Sequence, residues 1–200
     1  MAHTGYLKDS ETIQQELLGF FGRFQVLNIE DKEALLPIVK THQISKNTLL
    51  QEIGDTCKNI YFIHRGVARI FYYKDGNDVT ELFALEGEVI ARVESLFSGK
   101  PSLKGIQILE DSIVTGINTP ALFALYDNHP RIERLFRKIF ENEHVQTVLR
   151  LESLQFHSAE ERYQMLISQT PNLIQRIPLK YIASFLGITQ TSLSRIRSKK

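Results

Sequence analysis

Between Gln43 and Asn118 the chain breaks into short segments rich in β-branched and aromatic residues, among them NIYFIHRG, VARIFYYKDG, DVTELFALEGE and SIVTGI, with Gly or Asp-Gly between them. Strands this short, closely spaced and separated by turn residues argue for an antiparallel sandwich or barrel. Asp75-Gly76-Asn77 predicts a tight hairpin, since Gly and Asn tolerate the positive φ that such turns require. The flanks follow a helical period instead. IQQELLGFF reads as a helix, and Asp31 is the expected N-cap of a second one over DKEALLPIVK. Pro120 suits the first turn of a helix reaching about Asn128, and Pro130 the start of a longer one to about Phe156.

That long helix spans about 40 Å at the helical rise. Ile132, Leu135, Phe136, Ile139 and Phe140, then Val145, Val148 and Leu149, recur at three- and four-residue spacing. Such a face can pack on the chain's own sandwich or pair with its twin; at this length pairing is the expectation, so Ile132, Leu135, Ile139, Val145 and Leu149 are assigned to a homodimer seam. Glu141 to His144 interrupt the stripe.

Ser158 and Glu161 have capping-box spacing and predict a further helix through Ile167. Beyond Glu161 there is no acid, while seven cations follow, so the net charge of +1 leaves the rest of the chain at −6. A basic segment set apart in this way is the electrostatic footprint of a polyanion partner. In IPLKYIASFLGITQTSLSRIRSKK, Pro178 opens a helix, Gly187 ends it where a left-handed backbone is needed, and Thr189 caps another. Ile182, Ala183, Leu186, Ile188, Leu193 and Ile196 form the inner seam of this helix-turn-helix. Gln190, Thr191, Ser192, Ser194, Arg195 and Arg197 remain outside, with chemistry that suits base edges and phosphates.

Composition removes other classes. Hydrophobic residues make up 42% and charged residues 24% of 200, an ordinary globular balance. No apolar run reaches the roughly 20 residues of a membrane span, and the start lacks a signal-peptide pattern, so a cytoplasmic location with no membrane partner is expected. The single cysteine, Cys57, supports neither an internal disulfide nor an iron-sulfur cluster. The six histidines are scattered, and none of His64, His129 and His144 has a context for haem ligation. No metal site, cofactor motif or catalytic constellation stands out, so an enzyme is not expected.

From Ile13 to Lys200 the chain resembles the Crp/Fnr transcription regulators. YIASFLGITQTSLSRIR resembles their recognition segment, ALFALYDNHPRIERLF their turn into the long helix, and AEERYQMLI with the following RIPLKYIASFLGIT the group typical of Bacteroidetes. The resemblance implies an α+β fold: an antiparallel β-roll of the cyclic-nucleotide-binding type over 1–129, a dimerisation helix over 130–156 and a helix-turn-helix domain over 157–200. It implies double-stranded DNA with a near-palindromic operator, a second copy of the chain and RNA polymerase as partners. Lys180, Thr189, Gln190, Thr191, Ser192, Ser194, Arg195, Arg197, Lys199 and Lys200 are then the DNA-contacting set. The β-wing that usually follows the recognition helix is missing, read as the natural brevity of that group, with a shortened chain as the alternative.

The family's cyclic-AMP binders hold the ribose with a Gly-Glu pair and the phosphate with an Arg about ten residues later. Counting from Gly87-Glu88, Ala91-Arg92 stands where that pair belongs and Ser102-Leu103 near the arginine, with Lys104 the nearby cation. A shift of register would recruit Glu94, and Thr147 falls where the long helix offers a hydroxyl to the nucleotide. Gly87, Glu88, Arg92, Glu94, Ser102, Lys104 and Thr147 are therefore the candidate effector residues. Cyclic AMP is not the expected ligand, and an unidentified small molecule or none takes its place. The alternative function is a ligand-sensing or protein-interaction module that does not read DNA.

Overall fold

At Asp75 and Gly76 the backbone adopts φ of 51° and 76°, and Lys74 pairs with Asn77 across the turn. Two successive positive φ values give the turn twist that matches right-handed strands. This hairpin joins β4 (Ala68–Lys74) to β5 (Asn77–Ala84) in the computed structural model, which describes residues 10–198. Six further strands complete two four-stranded sheets: β1 (Val39–Ile44), β2 (Leu49–Gln51), β3 (Asn59–Arg65), β6 (Val89–Ile90), β7 (Gly105–Ile108) and β8 (Ser112–Asn118). Their orders are β1-β8-β3-β6 and β2-β7-β4-β5, and every pairing is antiparallel. The α+β roll expected from the sequence is therefore the observed fold. Ile63, Ala68, Ile70, Ile106, Ile108 and Val114 fill the space between the sheets.

Four helices surround the roll: α1 (Ser10–Gly22), α2 (Ile29–Leu35), α3 (Val93–Ser98) and α4 (Thr119–Ala124). Asp31 does not cap α2 as expected. Asn28 does, and Asp31, as the third residue of the helix, returns a hydrogen bond to the Asn28 N–H in a capping box. The helical pattern also ends sooner than read. Pro37 lies in a 3-10 turn (Leu36–Ile38), and β1 has begun by Val39. The helix from Pro120 stops at Ala124, short of Asn128.

The long helix α5 (Pro130–Phe156) has the expected bounds. Its N-terminal half is part of the roll's own core, where Ile132, Leu135, Phe136 and Ile139 are at most 1% exposed and join Phe20, Phe21, Phe62 and Leu122. There follow α6 (Ala159–Gln169), a single turn α7 (Leu173–Arg176), α8 (Leu179–Phe185) and α9 (Gln190–Ser198). Ser158 and Glu161 form the expected capping box of α6. The core under these last helices is not wholly theirs. Val67, Phe83 and Leu109 of the roll pack into one cluster with Tyr163, Ile182, Leu186 and Leu193.

Candidate nucleic-acid interface and internal cavity

Gly187 has φ of +70°, and beside it the Ile188 N–H donates back to the Ala183 carbonyl, turning the chain sharply from α8 into α9. Thr189 Oγ1 accepts from the Ser192 N–H at 3.1 Å, the cap the sequence predicts. Ile182, Ala183, Leu186 and Leu193 are at most 2% exposed, so the inner seam is where the pattern put it. Gln190, Thr191, Ser194, Arg195 and Arg197 are exposed, and Ser192 is half-buried over its bond to Thr189. Gln190, Thr191, Ser194 and Arg195 share one side of α9, being one, four and five residues apart.

The unopposed charge of the tail is smaller than the sequence count suggests. Arg176 is held by Glu86 and Glu110 of the roll, and Arg162 donates to the carbonyls of His157 and Leu186. Lys180, Arg195 and Arg197 are the exposed cations left among the described residues of this segment. Lys180 lies over its neighbour Tyr181, its Nζ 4.8 Å from the ring centroid. Lys199 and Lys200 lie outside the described residues.

The helix-turn-helix rests on the roll through three contacts that sequence reading did not single out. The Thr80 N–H donates to Ser184 Oγ at 3.0 Å, the Arg69 guanidinium lies 3.7 Å from the Tyr181 ring centroid, and the rings of Phe83 and Phe185 are 5.1 Å apart. Arg69 is 1% exposed and is fully engaged. Asp78 takes it bidentately at 2.6 and 2.7 Å, and Thr80 and Gln107 accept at 3.0 and 2.9 Å. An arginine in the otherwise apolar run VARIFYY was the signal for this buried pair.

Between the roll and α5 lies a cavity of about 350 Å³ whose walls include Ile60, Ile70, Leu82, Val89 and Ile139. Of the expected effector residues, Arg92, Glu94 and Thr147 line it, and Ser102 and Lys104 brace it from behind. Gly87 and Glu88 do not. The Gly87 carbonyl accepts from Arg23, and the Glu88 carboxylate accepts from the Leu85 N–H, so this pair shapes the turn before β6. Arg92, 6% exposed, donates to Glu94 at 2.6 Å and has Glu81 at 3.7 Å. Lys104 pairs with Glu81, and Ser102 Oγ donates to Glu94 at 2.8 Å. Burial pushes the Glu94 carboxyl up, but the hydrogen bonds from Arg92 and Ser102 outweigh it and hold it below its ordinary range. These acids and bases neutralise one another, so neither cation offers unopposed charge to an incoming phosphate, although Arg92 Nε is buried without a hydrogen-bond partner.

Thr147 donates its hydroxyl hydrogen to the Glu143 carbonyl one turn earlier, leaving only its lone pairs to face the cavity. Arg150, one turn further along α5, also lines the cavity and was not anticipated. Its signal was present, for Phe140, Glu143, Thr147 and Arg150 recur at three- and four-residue spacing on one side of the helix.

The dimer seam expected from the sequence needs correction in its first half. Ile132, Leu135 and Ile139 are consumed by the chain's own core, because α1 and the roll cover that part of α5. Val145, Leu149 and Phe156 are 52%, 52% and 76% exposed, and with Val148 they lie on one side of the second half.

Residues 41–129 match the family model of the cyclic nucleotide-binding domain. No curated protein matches the chain. Several solved structures share its fold. FixK2 from Bradyrhizobium japonicum aligns with a TM-score of 0.69 at 18% identity, over 81% of this chain and 84% of its own. A candidate transcriptional regulator of the Crp/Fnr family from Eubacterium rectale gives 0.69 at 14% identity, over 86% and 83%. The c-di-GMP-responsive global regulator CLP of Xanthomonas campestris gives 0.67 at 16%, over 86% and 91%. The fold is thus shared with these three proteins, one of which is a candidate Crp/Fnr-family regulator. Among the described residues no helix is long and apolar enough to cross a membrane, and no group of His, Cys, Asp and Glu could hold a metal ion.

Proposed function

We propose that this chain is a sequence-specific DNA-binding transcriptional regulator of the Crp/Fnr type, acting as a homodimer and controlled through the cavity beneath α5. The observation that carries the reading is α9 itself: Leu193 anchors it from behind at 0% exposure, while Gln190, Thr191, Ser194 and Arg195 face outward. Hydroxyls, an amide and a guanidinium on one helix face are donors and acceptors of the kind that read base edges in a major groove. The similar fold of a candidate Crp/Fnr regulator supports it. Dimerisation through Val145, Val148, Leu149 and Phe156 would set the two α9 helices in successive grooves about 34 Å apart, on a near-palindromic operator. In that arrangement Lys180, Arg197, Lys199 and Lys200 serve phosphates, and RNA polymerase is a further partner.

Selection from random duplexes tests the reading, and the Arg195→Ala chain tests the assignment. Its affinity for the selected site is expected to fall by about 1–3 kcal/mol, with relaxed preference at one base pair per half-site. Unchanged sequence preference would mean that α9 lies in another orientation. An interaction module that does not read DNA would show no salt-dependent retention on duplex DNA, whereas phosphate contacts release counterions and must.

The ligand in this reading is not cyclic AMP, because Arg92 and Lys104 are committed to Glu94 and Glu81. Calorimetry with cyclic AMP is expected to show binding weaker than about 10 µM, roughly 7 kcal/mol of affinity. Tighter binding would require these ion pairs to open for the phosphate.

A further inference from the structure

Arg150 is in an uncomfortable position for a cation. It lines the cavity, yet among the described residues no carboxylate comes within 4 Å of its guanidinium, and its buried Nε makes no hydrogen bond. It is instead turned to the helix-turn-helix. Its Nη2 donates to the Phe185 carbonyl at the end of α8, and its guanidinium lies 3.9 Å from the centroid of the Phe185 ring. Burial, and then the charge of Arg162, lower its pKa to about 10 against a smaller opposing pull from Glu81, and no anion is in contact with the charged form to stabilise it.

The rest of the cavity says which anion. The walls are largely aliphatic, and the charged groups at the Arg92 end are already neutralised by one another. Glu143, the other lining acid outside that network, accepts a hydrogen bond from Asn142, while burial and the nearby charge of Glu88 raise its pKa. An apolar body with one acidic head fits this distribution. We propose that the cavity binds a small carboxylic acid with a hydrocarbon body, that Arg150 receives its carboxylate, and that the head group thereby draws Arg150 away from Phe185. The ligand would then reach α8 through a single side chain that serves the cavity and the DNA-reading unit in turn.

This rests on the effector cavity of the proposed function, but the test contains no DNA, so failure here leaves the reading of α9 standing. Octanoate and 1-octanol, equal in hydrocarbon length, are titrated into the full chain by calorimetry. Octanoate is expected to bind about tenfold more tightly than octanol, a ratio that falls to near one in Arg150→Gln and is partly kept in Arg150→Lys. Hydrogen exchange in α8 is expected to quicken several-fold with octanoate and not with octanol. Equal binding of acid and alcohol, no binding of octanoate, or an unchanged ratio in Arg150→Gln would overturn the assignment. Unaltered exchange in α8 on saturation would overturn the coupling. Should Arg150→Gln fail to fold, the wild-type ratio and Arg150→Lys still decide.

Discussion

Ile139→Asp is expected to unfold the protein, whereas Leu149→Asp is expected to leave each chain folded and separate the proposed dimer. The two positions looked equivalent as parts of one apolar stripe, but Ile139 is 1% exposed inside the chain's own core and Leu149 is 52% exposed. Truncating a buried isoleucine costs about 2–5 kcal/mol, and an unpaired carboxylate in that place adds the cost of a buried charge. The sum approaches the whole stability of an ordinary domain, about 5–15 kcal/mol. Urea unfolding followed by circular dichroism checks the first variant, and sizing at micromolar concentration checks the second. A native-like unfolding midpoint for Ile139→Asp would mean that α5 does not pack on the roll as described.

The second large effect is expected at the Arg69–Asp78 pair, where the sign of the comparison matters more than its size. Asp78→Ala leaves a guanidinium that is almost wholly inside the protein without its counter-charge. Breaking a buried pair from one side costs about 3–5 kcal/mol, and the partial exposure of Asp78 argues for the lower end of that range. Arg69→Met removes the charge along with the need for a partner and fills similar volume, so its loss is expected to be smaller. Paired denaturation curves decide. A larger loss for Arg69→Met than for Asp78→Ala would show that stacking on Tyr181 and Phe71, rather than charge balance, keeps the arginine in place.

Both predictions touch on what could and could not be seen in the sequence. Local signals held at Asp75-Gly76 in the hairpin, at Ser158 and Glu161 at the start of α6 and at Gly187 in the turn into α9, whereas the cap of α2 fell to Asn28 rather than Asp31. The inner seam of the helix-turn-helix was legible for the same reason, since Ile182, Leu186 and Leu193 follow a helical period with a break at one known place. Periodicity shows that a face is apolar but not what covers it, and so the stripe on α5 was read as one seam when it is a core half and an exposed half. The cavity was harder. Arg92 and Glu94 neutralise each other only because the turn into α3 brings them together, while Glu81 enters from β5 and Arg150 from a helix far along the chain. Counting from Gly87-Glu88 reached Arg92 but also gave a role to Glu88 that the turn before β6 already uses.

Val67, Phe83 and Leu109 have a consequence for how the molecule can be taken apart. These three side chains of the roll complete the cluster around Tyr163, Ile182 and Leu193, so the segment that carries α9 borrows part of its interior from the middle of the chain. A fragment beginning at His157 would expose that interior to water, and a small helical unit has little stability to spare. The α9 surface therefore exists as a shaped surface only while the roll is intact. Roll and α9 are fused at the level of folding, and if α9 reads DNA as proposed, damage to the roll at positions remote from it would silence the reader by dissolving the ground it stands on.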